Sequence, residues 1–141
     1  MMRKLDNRGM ASFELIFIFV PLFTLIFAIF DLGRYAITMQ SLRTLSSAGA
    51  RAMMINCYTP AVTGLTPGTS PSSCTGDYLS ATQKQAAAPF LYRNGSAAPT
   101  VSTTSGSGKL TVTASQAGFA MVMPIWGTSL NAPSASTVIP F

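Results

Sequence analysis

Histidine is absent from this 141-residue chain, and acids are scarce: four Asp and Glu against nine Lys and Arg. Without histidine there is no Ser–His or Cys–His pair to activate a nucleophile. Asp6, Glu14, Asp31 and Asp77 are spread along the chain with no metal-ligand spacing. Gly106-Ser107-Gly108-Lys109 ends like a phosphate-binding loop. That pattern requires Gly where Thr103 stands and Ser or Thr where Leu110 stands, and the segment reads as a hairpin rather than a helix start. These absences speak against an enzyme and leave no expected cofactor or metal.

Charge of either sign is also sparse. Charged residues make up 9% of the chain, against roughly 25% in an ordinary soluble domain. Mean hydropathy is +0.39. Together these point to a membrane or assembly protein. The net charge of +5 would suit nucleic acid only if the basic residues formed a patch. They are scattered from Arg3 to Lys109, and only Arg3, Lys4 and Arg8 cluster, just ahead of an apolar run. That is juxtamembrane placement, so the expected partner is the lipid bilayer and not nucleic acid. Cysteine is limited to Cys57 and Cys74, within a stretch rich in Pro, Gly, Ser and Thr. The pair predicts a disulfide in an oxidising compartment. Its loop closure is worth about 3 kcal/mol in the chain-entropy model.

The organising stretch is residues 10–30. As a helix it spans about 31 Å, which matches the hydrocarbon core of a bilayer. It is too long for an ordinary secretory signal, and no small-x-small cleavage site follows at Asp31-Leu32-Gly33-Arg34. The basic tail and the cysteine pair orient it with the N-terminus cytoplasmic and the remainder outside. Pro21 removes one helical hydrogen bond and predicts a kink or loosening, which a membrane helix tolerates.

The helix does not stop at Asp31. Apolar and small residues recur in steps of three and four at Leu32, Tyr35, Ala36, Met39, Leu42, Leu45, Gly49, Ala50 and Met53. Asp31 and Arg34 stand at pairing distance. The spacing predicts one helix from about Met10 to about Asn56. Residues 57–76 read as an irregular loop because of their prolines. Tyr78 to Ala88 reads as a short helix, with Asp77 as N-cap and Pro89 as stop. Arg93 to Ser96 reads as a turn. Thr100–Thr104 and Lys109–Ser115 read as a β-hairpin, Phe119–Met123 as a possible third strand, and residues 134–139 as a final strand-like segment. The expected class is α+β: a long N-terminal helix carrying a small head with a short helix and a hairpin or three- to four-stranded antiparallel sheet.

Glu14 is the costly residue. A charge within a span costs about 2.5–3.5 kcal/mol by insertion scales, less near the edge. It either snorkels to the headgroups or awaits a cation. If the chain were cut after Gly9, Met10 would carry a new amine four residues before Glu14. Amine and carboxylate on adjacent copies, slipped by about one turn, would neutralise each other and set axial register.

The basic tail, Gly9, then Met10-Ala11-Ser12-Phe13-Glu14 and a long apolar helix resemble the class III signal of type IV prepilins. Phe30-Asp31-Leu32-Gly33-Arg34 and Ser47-Ala48-Gly49-Ala50-Arg51-Ala52 are similar to stretches of TadE-like minor pilins and pseudopilins of the Tad (Flp) pilus. The resemblance is carried by residues 8–56. It departs from the usual pattern at Leu15, where Phe is common, and at Met10, where Phe or a small residue is common. The resemblance implies that a prepilin peptidase cuts between Gly9 and Met10. Residues 1–9 are then a cytoplasmic leader, residues 10–56 the helix and residues 57–141 a periplasmic head. It further implies other pilin subunits and an inner-membrane pilus platform as partners, with adhesion or secretion as the output. The rival readings are an uncleaved single-pass assembly or binding protein and a type II secretion pseudopilin.

Overall fold

The computed structural model describes residues 8–65, 70–95 and 97–141, with backbone alone at 8–12, 94, 95 and 124. Arg3 and Lys4 of the basic tail, and Ser96 of the expected turn, lie outside the described residues.

One helix, α1 (Arg8–Met53), accounts for about a third of the molecule. At 1.5 Å per residue its 46 residues extend about 69 Å. It is continuous across Pro21. One turn on, the Thr24 hydroxyl donates to the Val20 carbonyl at 2.7 Å. Residues 13–30 are exposed on every side, with only Ala28 half-buried. The second half of α1 is different: Thr38, Leu42, Leu45, Ser46, Gly49, Ala50 and Met53 are buried along one face.

The helix continues further than its sequence suggests. After Met53 it widens into a π-turn, Met54–Tyr58, and resumes as α2, Thr59–Val62. The expectation of an irregular segment from Cys57 onward is therefore corrected. Pro60 sits in the first turn of α2, where its missing N–H is no loss. The wider turn accommodates an extra residue just before it. Beyond the undescribed residues 66–69, Pro71–Ser73 form a 3₁₀ turn. The Cys57–Cys74 disulfide links the helix end to the segment after that turn across a sequence separation of 17. Cys74 is fully buried.

The short helix α3 runs Ala81–Ala87 rather than from Tyr78. Its N-cap is Ser80, not Asp77. Ser80 Oγ accepts from the Gln83 N–H at 3.3 Å, and Gln83 Oε1 accepts from the Ser80 N–H at 2.9 Å. This is a reciprocal capping box. Asp77 instead accepts from the Leu79 N–H and pairs with Lys84. A 3₁₀ segment, Pro89–Gly95, follows α3.

The sheet has three antiparallel strands in the order β1 (Thr100–Gly106), β2 (Lys109–Ser115), β3 (Ser134–Pro140). β1 and β2 are joined by Ser107 and Gly108, both at positive φ (53° and 71°). That is the backbone a two-residue hairpin requires, and glycine supplies it without strain. Leu110, Val112 and Ala114 of the central strand point at α1 and are fully buried. The other face is a hydroxyl-rich array of Thr100, Ser102, Thr104, Thr111, Thr113, Ser115, Ser134 and Ser136. The third strand of the sheet is β3. Phe119–Met123 is irregular, because its N–H groups are used elsewhere.

Candidate functional site: a bare helix and its junction with the head

Gly49 brings helix and sheet together. A Cβ placed there would lie 3.0 Å from Val112 Cγ1 and 3.1 Å from Val101 Cγ1. A side chain there would crowd both valines, so glycine eases the close approach of α1 to the sheet. One turn earlier, Ser46 Oγ lies 3.0 Å from Thr137 Oγ1 of β3. The narrow side of α1, Ser46-Gly49-Ala50, thus faces the chain's own head.

The apolar stripe read from the sequence is rotated at its start. Leu32, Ala36 and Ile37 are exposed, whereas Asp31 and Thr38 are buried. The lower part of the helix therefore meets the head through Asp31 and the half-buried Tyr35, and leaves Leu32, Ala36 and Ile37 exposed.

Asp31 is the main contact. It is 3% exposed. Its carboxylate accepts from the backbone N–H of Val122 (3.0 Å to Oδ2, 3.2 Å to Oδ1) and of Met123 (3.0 Å to Oδ2). These charge-assisted bonds tie the long β2–β3 connection to the helix at the end of the apolar run. The expected Asp31–Arg34 pairing is present but loose, at 3.6 Å, with Arg34 half exposed. The Arg34 guanidinium lies 5.4 Å from the centroid of the Phe119 ring, within cation–π range. Tyr35 packs on the same ring at 6.2 Å. The sequence carried the Asp31–Arg34 spacing, but its partner segment lies ninety residues away and shows no periodicity.

Two concavities open at this junction. Phe27, Phe30, Asp31, Arg34, Val122 and Met123 line an apolar groove of about 350 Å³. Above it, a smaller cavity of about 90 Å³ is lined by Arg34, Thr38, Arg93, Gln116 and Phe119 among others. Gln116 is 3% exposed and its Nε2 donates to the Ala97 carbonyl. Its Oε1 has no hydrogen-bond partner among the described residues.

Toward the N-terminus, Gly9 and Met10 belong to the first turns of α1. Glu14 is exposed on α1 amid exposed Phe13, Leu15, Phe17 and Ile18. Met10 and Glu14 are four residues apart on one helix, about 6 Å along its axis. The structure brings neither into contact with the head's junction; Gly9, Met10 and Glu14 form one locus and Asp31 another. The cysteine pair forms a third.

A family described as TadE-like protein matches residues 9–51. Over these residues, about a third of the chain, the long helix is similar to TadE-like proteins. The match begins at Gly9 and ends at Arg51, so it takes in Glu14, the Asp31–Arg34 pair and the Gly49 contact, and stops short of the head. Neither a curated protein nor a solved structure matches the chain.

Proposed function

We propose that this TadE-like chain is a minor pilin or pseudopilin. The reading rests on one observation: a TadE-like helix that is bare over residues 13–30 and packed on a head over its second half. A helix exposing apolar residues on all sides needs an apolar surrounding. Before assembly that is the bilayer; in a filament it is the helices of other subunits. Residues 13–62 are long and apolar enough to cross a membrane. The N-terminus lies in the cytoplasm and the head in the periplasm, where the Cys57–Cys74 disulfide persists.

A prepilin peptidase removes residues 1–9, leaving the Met10 amine one turn from Glu14. Leaving the bilayer for a bundle, Glu14 meets a neighbour's Met10 amine, and the pair fixes the axial stagger between copies. The exposed Leu32, Ala36 and Ile37 extend the apolar surface for neighbours beyond the span. The role is structural: the subunit primes, tips or tunes a filament for adhesion or secretion, and ATPase and platform proteins supply the energy.

The test is Glu14→Ala in a strain lacking the native gene. Processing continues and the chain stays in the membrane, but surface pili fall several-fold by electron microscopy. Pili at the normal number in that strain would mean that Glu14 only reaches the headgroups. Scoring protein secretion beside piliation separates a pilus role from a type II secretion role.

A further inference from the structure

The junction of α1 with the β2–β3 connection has features that holding the head does not require. The apolar groove begins beside Phe27 and Phe30, inside the span, and is closed on its other side by Val122 and Met123. Val122 is 74% exposed. Asp31 fixes these two residues against the helix, so the head contributes an apolar wall at the depth where the span ends. Arg34 lines this groove and also the small cavity above it, which Arg93 shares. Arg34 and Thr38 lie four and eight residues beyond Phe30, about 6 and 12 Å along the axis. The headgroup layer is about 5–8 Å thick, so the lower part of the cavity stands at headgroup level. Asp31 is the acid at the site, and its oxygens are engaged by Val122 and Met123 N–H groups. The cavity is therefore lined by two arginines and by Gln116, whose buried Oε1 has no hydrogen-bond partner among the described residues.

We propose that this junction seats one anionic phospholipid of the head-side leaflet, an acyl chain in the Phe27–Val122 groove and its headgroup between Arg34, Arg93 and Gln116. The arginines take the phosphodiester, and a headgroup hydroxyl donates to Gln116 Oε1. A glycerol-bearing headgroup supplies both groups; a choline headgroup supplies no donor. The seat rests on the reading that residues 10–30 lie in the bilayer. It gives the membrane-held subunit a fixed depth and tilt, and the lipid must leave when the helix enters a filament.

The full-length chain is reconstituted in nanodiscs of phosphatidylcholine with a minor fraction of phosphatidylglycerol. It is then released into mild detergent, and retained lipid is measured by native mass spectrometry. About one phosphatidylglycerol per chain is retained, enriched over its bulk fraction. Arg93→Gln lowers that enrichment roughly five-fold, as loss of one basic contact predicts. Val122→Glu, at an exposed site, abolishes retention by charging the groove wall. Soluble glycerol 1-phosphate at millimolar concentration does not compete. Retained lipid in bulk proportion, unaltered retention in both variants, or full competition by glycerol 1-phosphate overturns the proposal. So does a second protein chain held in place of lipid, which would make the groove a subunit contact. Alkaline carbonate extraction of native membranes is run in parallel. A chain that resists extraction yet retains no lipid refutes the seat alone; a chain that is extracted refutes the membrane reading beneath it.

Discussion

Replacing Asp31 tests how the head is held on the helix. The carboxylate receives hydrogen bonds from two backbone N–H groups and is nearly inaccessible to water. A hydrogen bond to a charged group contributes about 1.5–3 kcal/mol net. Asp31→Ala forfeits two, and the freed N–H groups regain part of the loss by rehydration, so the cost is about 3–4 kcal/mol. Asp31→Asn keeps one acceptor oxygen and costs about half of that. The Arg34 contribution is small, since an ion pair with one half-exposed partner is worth about 0–1 kcal/mol. Arg34→Gln is therefore nearly silent in the same assay. The chain has one tryptophan, Trp126, three residues beyond Met123. Its fluorescence reports unfolding of this connection in urea, with the full chain in mild detergent. At a slope of about 2 kcal/mol per molar, Asp31→Ala lowers the midpoint by about 1.5–2 M. An unchanged midpoint for Asp31→Ala, or equal losses for Asp31→Ala and Arg34→Gln, would refute the reasoning.

Gly49→Val adds methyl groups where Val112 and Val101 already stand about 3 Å from a Cβ position. It costs about 1–3 kcal/mol of overpacking in the same urea titration. Gly49→Ala stays near neutral, because its gain in helix propensity, about 1 kcal/mol, offsets the crowding. Cys57→Ser opens the loop to Cys74, lowers head stability by about 3 kcal/mol, and removes the difference in gel mobility between reduced and oxidised protein. A wild-type chain whose mobility is indifferent to reductant would show the thiols to be free.

The long helix was legible because its signal is dense: no polar residue interrupts Leu15–Phe23 other than Pro21, and the following steps of three and four are regular. The hairpin was legible from the alternation Leu110–Val112–Ala114, and the disulfide from two cysteines in a proline-rich stretch. Where the reading went astray, a stronger local signal or a distant partner decided. Asp77 looked like the cap of α3, but Ser80 with Gln83 three residues on satisfies two backbone groups at once. Phe119–Met123 has strand-forming residues, yet Asp31, far away in sequence, takes the N–H groups of Val122 and Met123, and Asn131 takes that of Met121. The prolines after Cys57 suggested an end to the helix, but Pro60 falls where a helix turn tolerates it. The candidate processing site was legible only as a pattern of residue types, Gly9 followed by Glu14 five places on. The junction groove was not legible at all, since the sequence shows no link between Phe30 and Val122.

The claim that carries the most weight is that this chain is made with a leader and matures at Met10. Mass spectrometry of the N-terminal peptide from membrane-extracted protein tests it in one step. In cells holding the matching prepilin peptidase, the account predicts a mature chain beginning at Met10, and Gly9→Leu restores the leader-bearing form. A chain from the same cells that still begins at Met1 would contradict it.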